Sequence, residues 1–236
     1  MHHTTNVQLS SSRFSHVGWI SLTLLIVPLC LAGYALKTQE IVAKMGVPLS
    51  CAVLVILTAA RTVALRRSAV WLVVALSFSA AGDWFLSNRN GRESYFLAGI
   101  GLFFIAHVGY LVFARHYGTI HRPTLFVLFG IFLPYYTLGI FPNISGSLLP
   151  IAVLSYLLIS CIVLSAAAGF KRPRSARVAY IAGITLIVFS DTVISFREFL
   201  DWHGWDWLIL PTYYLAHLCV TGAVVAIAES ARQGQG

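Results

Sequence analysis

The sequence predicts an all-α membrane protein, a polytopic bundle of eight transmembrane helices. Of its 236 residues, 58% are hydrophobic and 10% are charged, whereas soluble domains average about 45–50% apolar and about 25% charged residues. The apolar residues form runs close to the roughly 20 residues that a helix needs to cross a bilayer. These runs do not alternate apolar and polar residues as a transmembrane β-barrel does. The composition therefore excludes a soluble fold and a disordered chain.

Eight apolar runs, separated by short polar or basic breaks, define the expected spans. In chain order they are Val17–Leu36, Met45–Ala64, Ala69–Ser87, Tyr95–Arg115, Pro123–Phe141, Ser147–Phe170, Arg177–Phe199 and Trp207–Glu229. Together they form a single membrane domain over residues 17–229. A polar, Ser-rich segment over residues 1–16 is expected to be a flexible cytoplasmic tail, and residues 230–236 a short cytoplasmic tail.

The loop charges predict the orientation of the bundle. The tails and the second, fourth and sixth loops carry most of the basic residues: Arg13, Arg61, Arg66, Arg67, Arg115, Arg122, Lys171, Arg172, Arg174, Arg177 and Arg232. On the opposite side, acidic and basic residues balance. The positive-inside rule therefore predicts that both termini are cytoplasmic, in the cytoplasmic (inner) membrane if the protein is bacterial. Because topology accounts for the net charge of +8, no nucleic-acid partner is expected.

Two short motifs recur in the second half of the chain. Phe78–Asp83 in the third span is echoed by Val188–Asp191 in the seventh, and Ala106–His107 in the fourth span by Ala216–His217 in the eighth. A four-helix unit that is repeated once keeps its orientation in the membrane. The echo therefore predicts two parallel four-helix repeats, related by an axis along the membrane normal.

Asp83 and Asp191 are the strongest functional signal. Both interrupt apolar spans, where a central Asp costs about 2.5–3.5 kcal/mol to insert. Each lies 14 residues beyond the start of its predicted span, about 21 Å from the inner face at 1.5 Å per residue. Since both spans run outward, the two carboxyl groups are expected at one depth in the outer half of the bilayer.

Histidines and tyrosines accompany the two acids on the neighbouring spans. His107 and Tyr110 are three residues apart and share one face of the fourth span, while Tyr213, Tyr214 and His217 cluster on one side of the eighth. These residues and the two acids describe a polar pocket inside the membrane. Just outside the ends of the two acid-bearing spans, basic side chains are available to a lipid phosphate: Arg89, Arg92 and Arg197.

Such a pocket is compatible with three kinds of chemistry. Paired carboxyl groups support acid–base hydrolysis. A metal-dependent lipid hydrolase would use His107, His217 and the two acids as ligands. A lipid transporter or a proton-coupled transporter also uses intramembrane acids. The residues alone leave these alternatives open.

The order of several short motifs resembles the YhhN-like lysoplasmalogenase family. These motifs are Ala81-Gly-Asp83-Trp-Phe-Leu86, Gly99-x-x-x-Phe103-x-x-Ala106-His107-x-x-Tyr110, Phe189-Ser-Asp191 followed by Arg197 and Phe199, and Thr212-Tyr-Tyr-x-Ala-His217. The resemblance implies an eight-helix membrane enzyme that hydrolyses the vinyl ether bond of lysoplasmalogens. Its products are a fatty aldehyde and glycerophospho-ethanolamine or glycerophospho-choline.

The chemistry of vinyl ether hydrolysis, which needs one protonated acid and one nearby anion, leads to a hypothesis for individual residues. Asp83 and Asp191 are expected to form the catalytic carboxyl pair, in either order, and His107 or Tyr213 to position water or hold the geometry of the pair. The expected binding residues for a lysophospholipid within the membrane are Tyr110, Tyr214, His217, Lys44, Arg89 and Arg197. Neither a metal nor a cofactor is expected. The chain departs from the family at His217, where Gln is usual, and at Lys44, which lies further from Pro48 than in the family pattern.

Overall fold

Eight α-helices joined by short loops make up the part of the protein that the computed structural model describes, residues 25–233. They are α1 (Ile26–Thr38), α2 (Ile41–Ala60), α3 (Arg66–Ser87), α4 (Glu93–Arg115), α5 (Arg122–Pro134), α6 (Leu148–Ala168), α7 (Arg174–Leu200) and α8 (Asp206–Gln233). No strand forms among these residues. Seven of the apolar helical segments are long enough to cross a membrane. The protein is therefore an all-α, integral multi-pass membrane protein, as predicted.

The ends of the chain differ from the sequence prediction. The first predicted span, Val17–Leu36, extends beyond the described residues, and α1 covers its second part. The predicted tail over residues 1–16 also lies outside the described part. At the other end, α8 continues to Gln233. The expectation that the last helix stops at Glu229 is therefore wrong, because residues 230–233 add a further helical turn.

The second helix begins four residues earlier than predicted. It starts after Glu40, whose extended backbone (φ −67°, ψ 135°) ends the preceding loop. It stops at Ala60, because Thr62 is again extended (φ −139°, ψ 96°) before a short 3₁₀ turn. Lys44, which directly precedes the predicted span Met45–Ala64, therefore lies in the first turns of α2.

The fifth helix is widened at its end. After Pro134 the chain continues as a π-helical segment, Tyr135–Ile140, a local widening that is frequent at functional sites. The hydroxyl of Tyr135 lies 2.7 Å from the Ser195 hydroxyl of α7, and that of Tyr136 donates to the Pro150 carbonyl at 2.9 Å. The segment thereby connects α5 to both α6 and α7.

Glycines bring two helix pairs into close contact. A methyl group on Gly109 of α4 would lie 2.6 Å from the Trp71 carbonyl oxygen of α3. On Gly183 of α7, it would lie 3.0 Å from the Ala216 carbonyl oxygen of α8. Small residues at such positions let helix backbones approach closely. In a membrane this matters because helices associate through van der Waals packing and not through the hydrophobic effect. The α3–α4 and α7–α8 pairs are thus the most tightly joined in the bundle.

The packing of the helices repeats with a period of four. The α1–α2, α2–α3 and α3–α4 contacts correspond to α5–α6, α6–α7 and α7–α8, and the contact of α4 with α6 corresponds to that of α8 with α2. The helix contacts thus repeat in the order in which the two sequence motifs recur. That the two halves arose by duplication stays a prediction.

The two ends of the bundle differ in character. The end with the second, fourth and sixth loops is closed by aromatic packing: Phe170 stacks on Tyr180 with ring centroids 4.7 Å apart, and Phe113 packs against both rings. At the opposite end, which carries the first, third, fifth and seventh loops, the helices separate around a cavity. We call this the odd-loop end.

Candidate functional site

A cavity of about 490 Å³ opens at the odd-loop end and contains both intramembrane acids. Its walls come from α1–α4, α7 and α8, and Asp83 and Asp191 both line it. Each acid lies 17 residues after the first residue of its helix, Arg66 or Arg174, which is about 26 Å along the axis. The two carboxyl groups, carried by different helices, therefore face one space at a similar depth.

Asp83 has a hydroxyl donor and a cationic neighbour. The Tyr213 hydroxyl of α8 donates a hydrogen bond to Asp83 Oδ2 at 3.2 Å. Lys44 of α2 lines the same cavity. The early start of α2 brings this ammonium group to the cavity wall.

Asp191 is surrounded by different partners. The Tyr156 hydroxyl of α6 donates to Asp191 Oδ2 at 2.7 Å. His107 Nε2 of α4 lies 3.8 Å from the same oxygen, which is too long for a direct hydrogen bond. The His107 ring packs edge-on against Tyr156, with centroids 4.8 Å apart. The side chain of Asp191 is 20% exposed, so it is largely enclosed by these contacts.

The two histidines occupy equivalent positions. His107 Nδ1 lies 2.9 Å from the Phe103 carbonyl, and His217 Nδ1 lies 2.7 Å from the Tyr213 carbonyl. Because a carbonyl can only accept, Nδ1 must carry the proton, and Nε2 is the acceptor in the neutral ring. Within residues 25–233, both Nε2 atoms are buried without a hydrogen-bond partner. Only His107 brings this free acceptor close to a carboxyl group.

Three residues expected to bind substrate lie behind the cavity wall. Tyr110, Tyr214 and His217 are each at most 1% exposed and are not among the residues that line the cavity. Tyr214 packs in an apolar cluster with α1 and α2. His217 packs against the ring of Tyr213, with centroids 4.3 Å apart, so it supports the donor to Asp83 from behind.

The two arginines that are expected to bind substrate, Arg89 and Arg197, both contact Glu198. Arg89 Nη1 donates to Glu198 Oε2 at 2.5 Å, and Arg197 Nη2 lies 2.8 Å from Glu198 Oε1. Arg197 lines the cavity. Arg89 instead borders a separate space of about 330 Å³ beside the third loop. The structure thus brings Arg197, but not Arg89, to the acids.

Two of these partners were missed in the sequence. The sequence assigns no role to Tyr156, and the available signal is that it is the only tyrosine of the sixth span. Glu198 is one of the acidic residues on the side opposite the basic loops, and the sequence predicts no contact for it. Its position directly after Arg197 was compatible with pairing, but nothing in the sequence indicated the contact with Arg89, which is 109 residues away.

The residues named for a metal alternative separate into two groups. His107 lies beside Asp191, whereas His217 lies behind Tyr213 on the Asp83 side. Across residues 25–233, no three His, Cys, Asp or Glu side chains are arranged to share a metal ion. Each of the two acids accepts a hydrogen bond from a tyrosine hydroxyl.

The fold and the cavity define a polytopic helical membrane protein with two acidic side chains inside apolar spans. The model of the YhhN family matches residues 13–224, and the chain belongs to this family. This match confirms the family resemblance that the motifs indicate. No curated protein and no solved structure matches the chain significantly.

Proposed function

We propose that this protein is an intramembrane hydrolase of the lysoplasmalogenase type, which cleaves a vinyl ether to a fatty aldehyde and a glycerophospho-alcohol. The main support is that Asp83 and Asp191, from different helices, line one cavity. Each accepts a hydrogen bond from a tyrosine hydroxyl. Membership of the YhhN family supports a hydrolase at the level of the family.

The reaction needs one protonated carboxyl group and one carboxylate. The acid first transfers its proton to the alkene carbon next to the ether-bearing carbon, which leaves an oxocarbenium ion. Water then attacks the ether-bearing carbon and gives a proton to the carboxylate, so that a hemiacetal forms. This division between an acid and a base resembles the one used in glycoside hydrolysis.

Collapse of the hemiacetal restores both carboxyl groups. Its hydroxyl proton goes to the residue that acted first as the acid, and the carbon–oxygen bond to glycerol breaks. The departing oxygen takes the proton that the other residue received from water. The products are an aldehyde and a free alcohol, and no other reactant is consumed.

The neighbouring side chains hold the pair in position. Tyr213 and Tyr156 each fix one carboxyl group, and a hydroxyl donor stabilises a carboxylate more than a neutral acid. The 3.8 Å between His107 Nε2 and Asp191 Oδ2 is a distance that one water molecule can bridge. We therefore assign His107 to holding the Asp191 carboxyl group in position through such a water.

The substrate class follows from the charges around the cavity. Lys44 and Arg197 both line it, and cationic side chains are suited to a phosphate. We propose a lysophospholipid that enters from the membrane. The charge distribution of the loops favours cytoplasmic termini, which would open the cavity towards the outer side of the membrane.

The test is aldehyde release by the purified protein from a vinyl-ether lysophospholipid, measured by mass spectrometry. Asp83→Asn and Asp191→Asn should each lower the rate by about 10²-fold or more, since positioned acid–base groups contribute 10²–10⁴-fold. Asp201→Asn is the matched control, because this aspartate is fully exposed after α7 and Asn also tolerates its left-handed backbone (φ 51°). Wild-type rates in both cavity variants would contradict the proposal.

A comparison of linkages separates this reaction from the alternatives. We expect cleavage of the vinyl ether, but not of a saturated ether or an ester in otherwise identical lysolipids, because only the vinyl ether accepts a proton on carbon. Uptake into proteoliposomes without any product would favour a transporter. Loss of activity with a chelator, restored by a metal, would favour the metal-dependent hydrolase.

A further inference from the structure

A narrow space between α3, α4, α6 and α7 adjoins the cavity. This space has a volume of about 80 Å³, and it shares four lining residues with the cavity, namely Leu86, Phe103, Asp191 and Ile194. Its remaining walls are Phe96, Ile100, Val153, Tyr156, Ser195 and Phe199. We call this space the apolar slot, because Asp191, Tyr156 and Ser195 are its only polar lining residues in the described part of the chain.

Asp191 lies where the two spaces meet. It lines both the cavity and the apolar slot, whereas Asp83 lines the cavity, which also contains Lys44 and Arg197. The two carboxyl groups therefore face different surroundings. Cations flank one side of the junction, and aromatic and aliphatic side chains flank the other.

We propose that the apolar slot binds the hydrocarbon chain of a lysophospholipid whose phosphate lies beside Lys44 and Arg197 in the cavity. The identity of this ligand rests on the proposed function. In this orientation the vinyl ether, which joins the hydrocarbon chain to the glycerol, lies beside Asp191 where the two spaces meet. Asp191 is then the acid that protonates the alkene carbon, and Asp83 is the base that takes the proton from water.

The charges around the two acids fit this assignment. Lys44 lines the cavity beside Asp83, and a nearby cation favours the carboxylate form that a base needs. The side chains closest to Asp191 are Tyr156 and His107, and His107 is neutral when its Nδ1 alone carries a proton. An uncharged acid beside an apolar chain avoids the cost of a buried, unpaired charge.

Filling the slot tests the proposal. Val153→Phe adds an aromatic ring to the slot wall, and Val127→Phe is the matched control on α5, where Val127 is 60% exposed. We expect Val153→Phe to lower kcat/KM for long-chain vinyl-ether lysolipids by roughly tenfold or more, as for an overpacked core, and to affect short chains little. Val153→Ala should shift the preference towards longer chains.

Binding separates this inference from the proposed reaction. The probes are saturated-ether lysophosphatidylcholines of short, medium and long chain, titrated into the protein in nanodiscs. Val153→Phe should weaken the binding of long chains selectively, whether or not the wild type releases aldehyde. Equal chain-length dependence in the wild type, Val153→Phe and Val153→Ala would overturn the proposal, as would a wild type that binds none of the probes. Val153→Ala keeps the test valid if Val153→Phe does not fold.

Discussion

Gly109→Ala tests the packing that positions the site. Gly109 lies in α4, two residues after His107, and it faces α3, which carries Asp83. An added methyl group would lie 2.6 Å from the Trp71 carbonyl oxygen and 3.0 Å from Ala75 Cβ. Ordinary contacts between such atoms are about 3.5–4.0 Å, so the two helices would have to separate by about 1 Å.

Gly101→Ala provides the reference for this change. It lies in the same helix, and nothing stands within 4 Å of the methyl group that it would add. In both variants alanine favours the helix by about 1 kcal/mol relative to glycine. Their difference in unfolding free energy therefore isolates the overpacking at Gly109, which we expect to be about 1–3 kcal/mol.

The assay is reversible unfolding in mixed micelles, followed by tryptophan fluorescence, with aldehyde release measured on the same preparations. Gly109→Ala should be less stable than Gly101→Ala and should also lose activity, because the separation of α3 and α4 moves His107 relative to Asp83. If the two variants are equally stable, α3 and α4 do not pack closely at Gly109. The proposed role of this packing in positioning the site would then also be wrong.

Three further predictions address single groups and the orientation. Tyr156→Phe should lower kcat about tenfold and leave KM unchanged, because the lost hydrogen bond strengthens as Asp191 becomes a carboxylate, and bonds to charged groups contribute about 1.5–3 kcal/mol. Hydrogen bonds to Asp206 and Asp201 raise the pKa of His203. Protonated His203 should therefore stabilise the fold fully below about pH 6.5, its unfolded pKa. This stabilisation should be lost as the pH rises through the higher folded pKa, so that the Tm difference between wild type and His203→Gln shrinks. A fluorescent reporter fused to the C-terminus should be cytoplasmic, and a periplasmic signal in a bacterial host would contradict the predicted orientation.

The fold was predictable because its signal is local. Apolar runs of membrane-spanning length reveal helices one at a time, and the positions of Asp83 and Asp191 along them follow from residue counting. Even where a boundary was wrong, as for α3 and α7, the same shift of three residues applied to both helices. The expectation of one common depth was therefore unaffected.

The partners of the acids were harder to predict because they depend on how each helix is rotated about its axis. In a soluble helix an apolar stripe reveals this rotation, but a helix that is apolar all round carries little such information. Nothing in the sequence therefore indicated that Tyr156 faces Asp191 or that Tyr110 lies behind the cavity wall. The contact between Arg89 and Glu198 likewise depends on the meeting of two helix ends.

The two halves of the bundle differ most where the proposed chemistry needs a difference. The aspartates are 108 residues apart, and with that spacing Tyr156 corresponds to Pro48, one helical turn beyond Lys44. From corresponding helices, α2 thus places an ammonium group in the cavity that Asp83 lines, and α6 places a phenol against Asp191. A symmetric pair would have no reason to divide into an acid and a base. Here Lys44 is a cation in the cavity, whereas Tyr156 is a neutral donor beside the apolar slot. These different neighbours distinguish the two carboxyl groups, although the helix packing around them repeats.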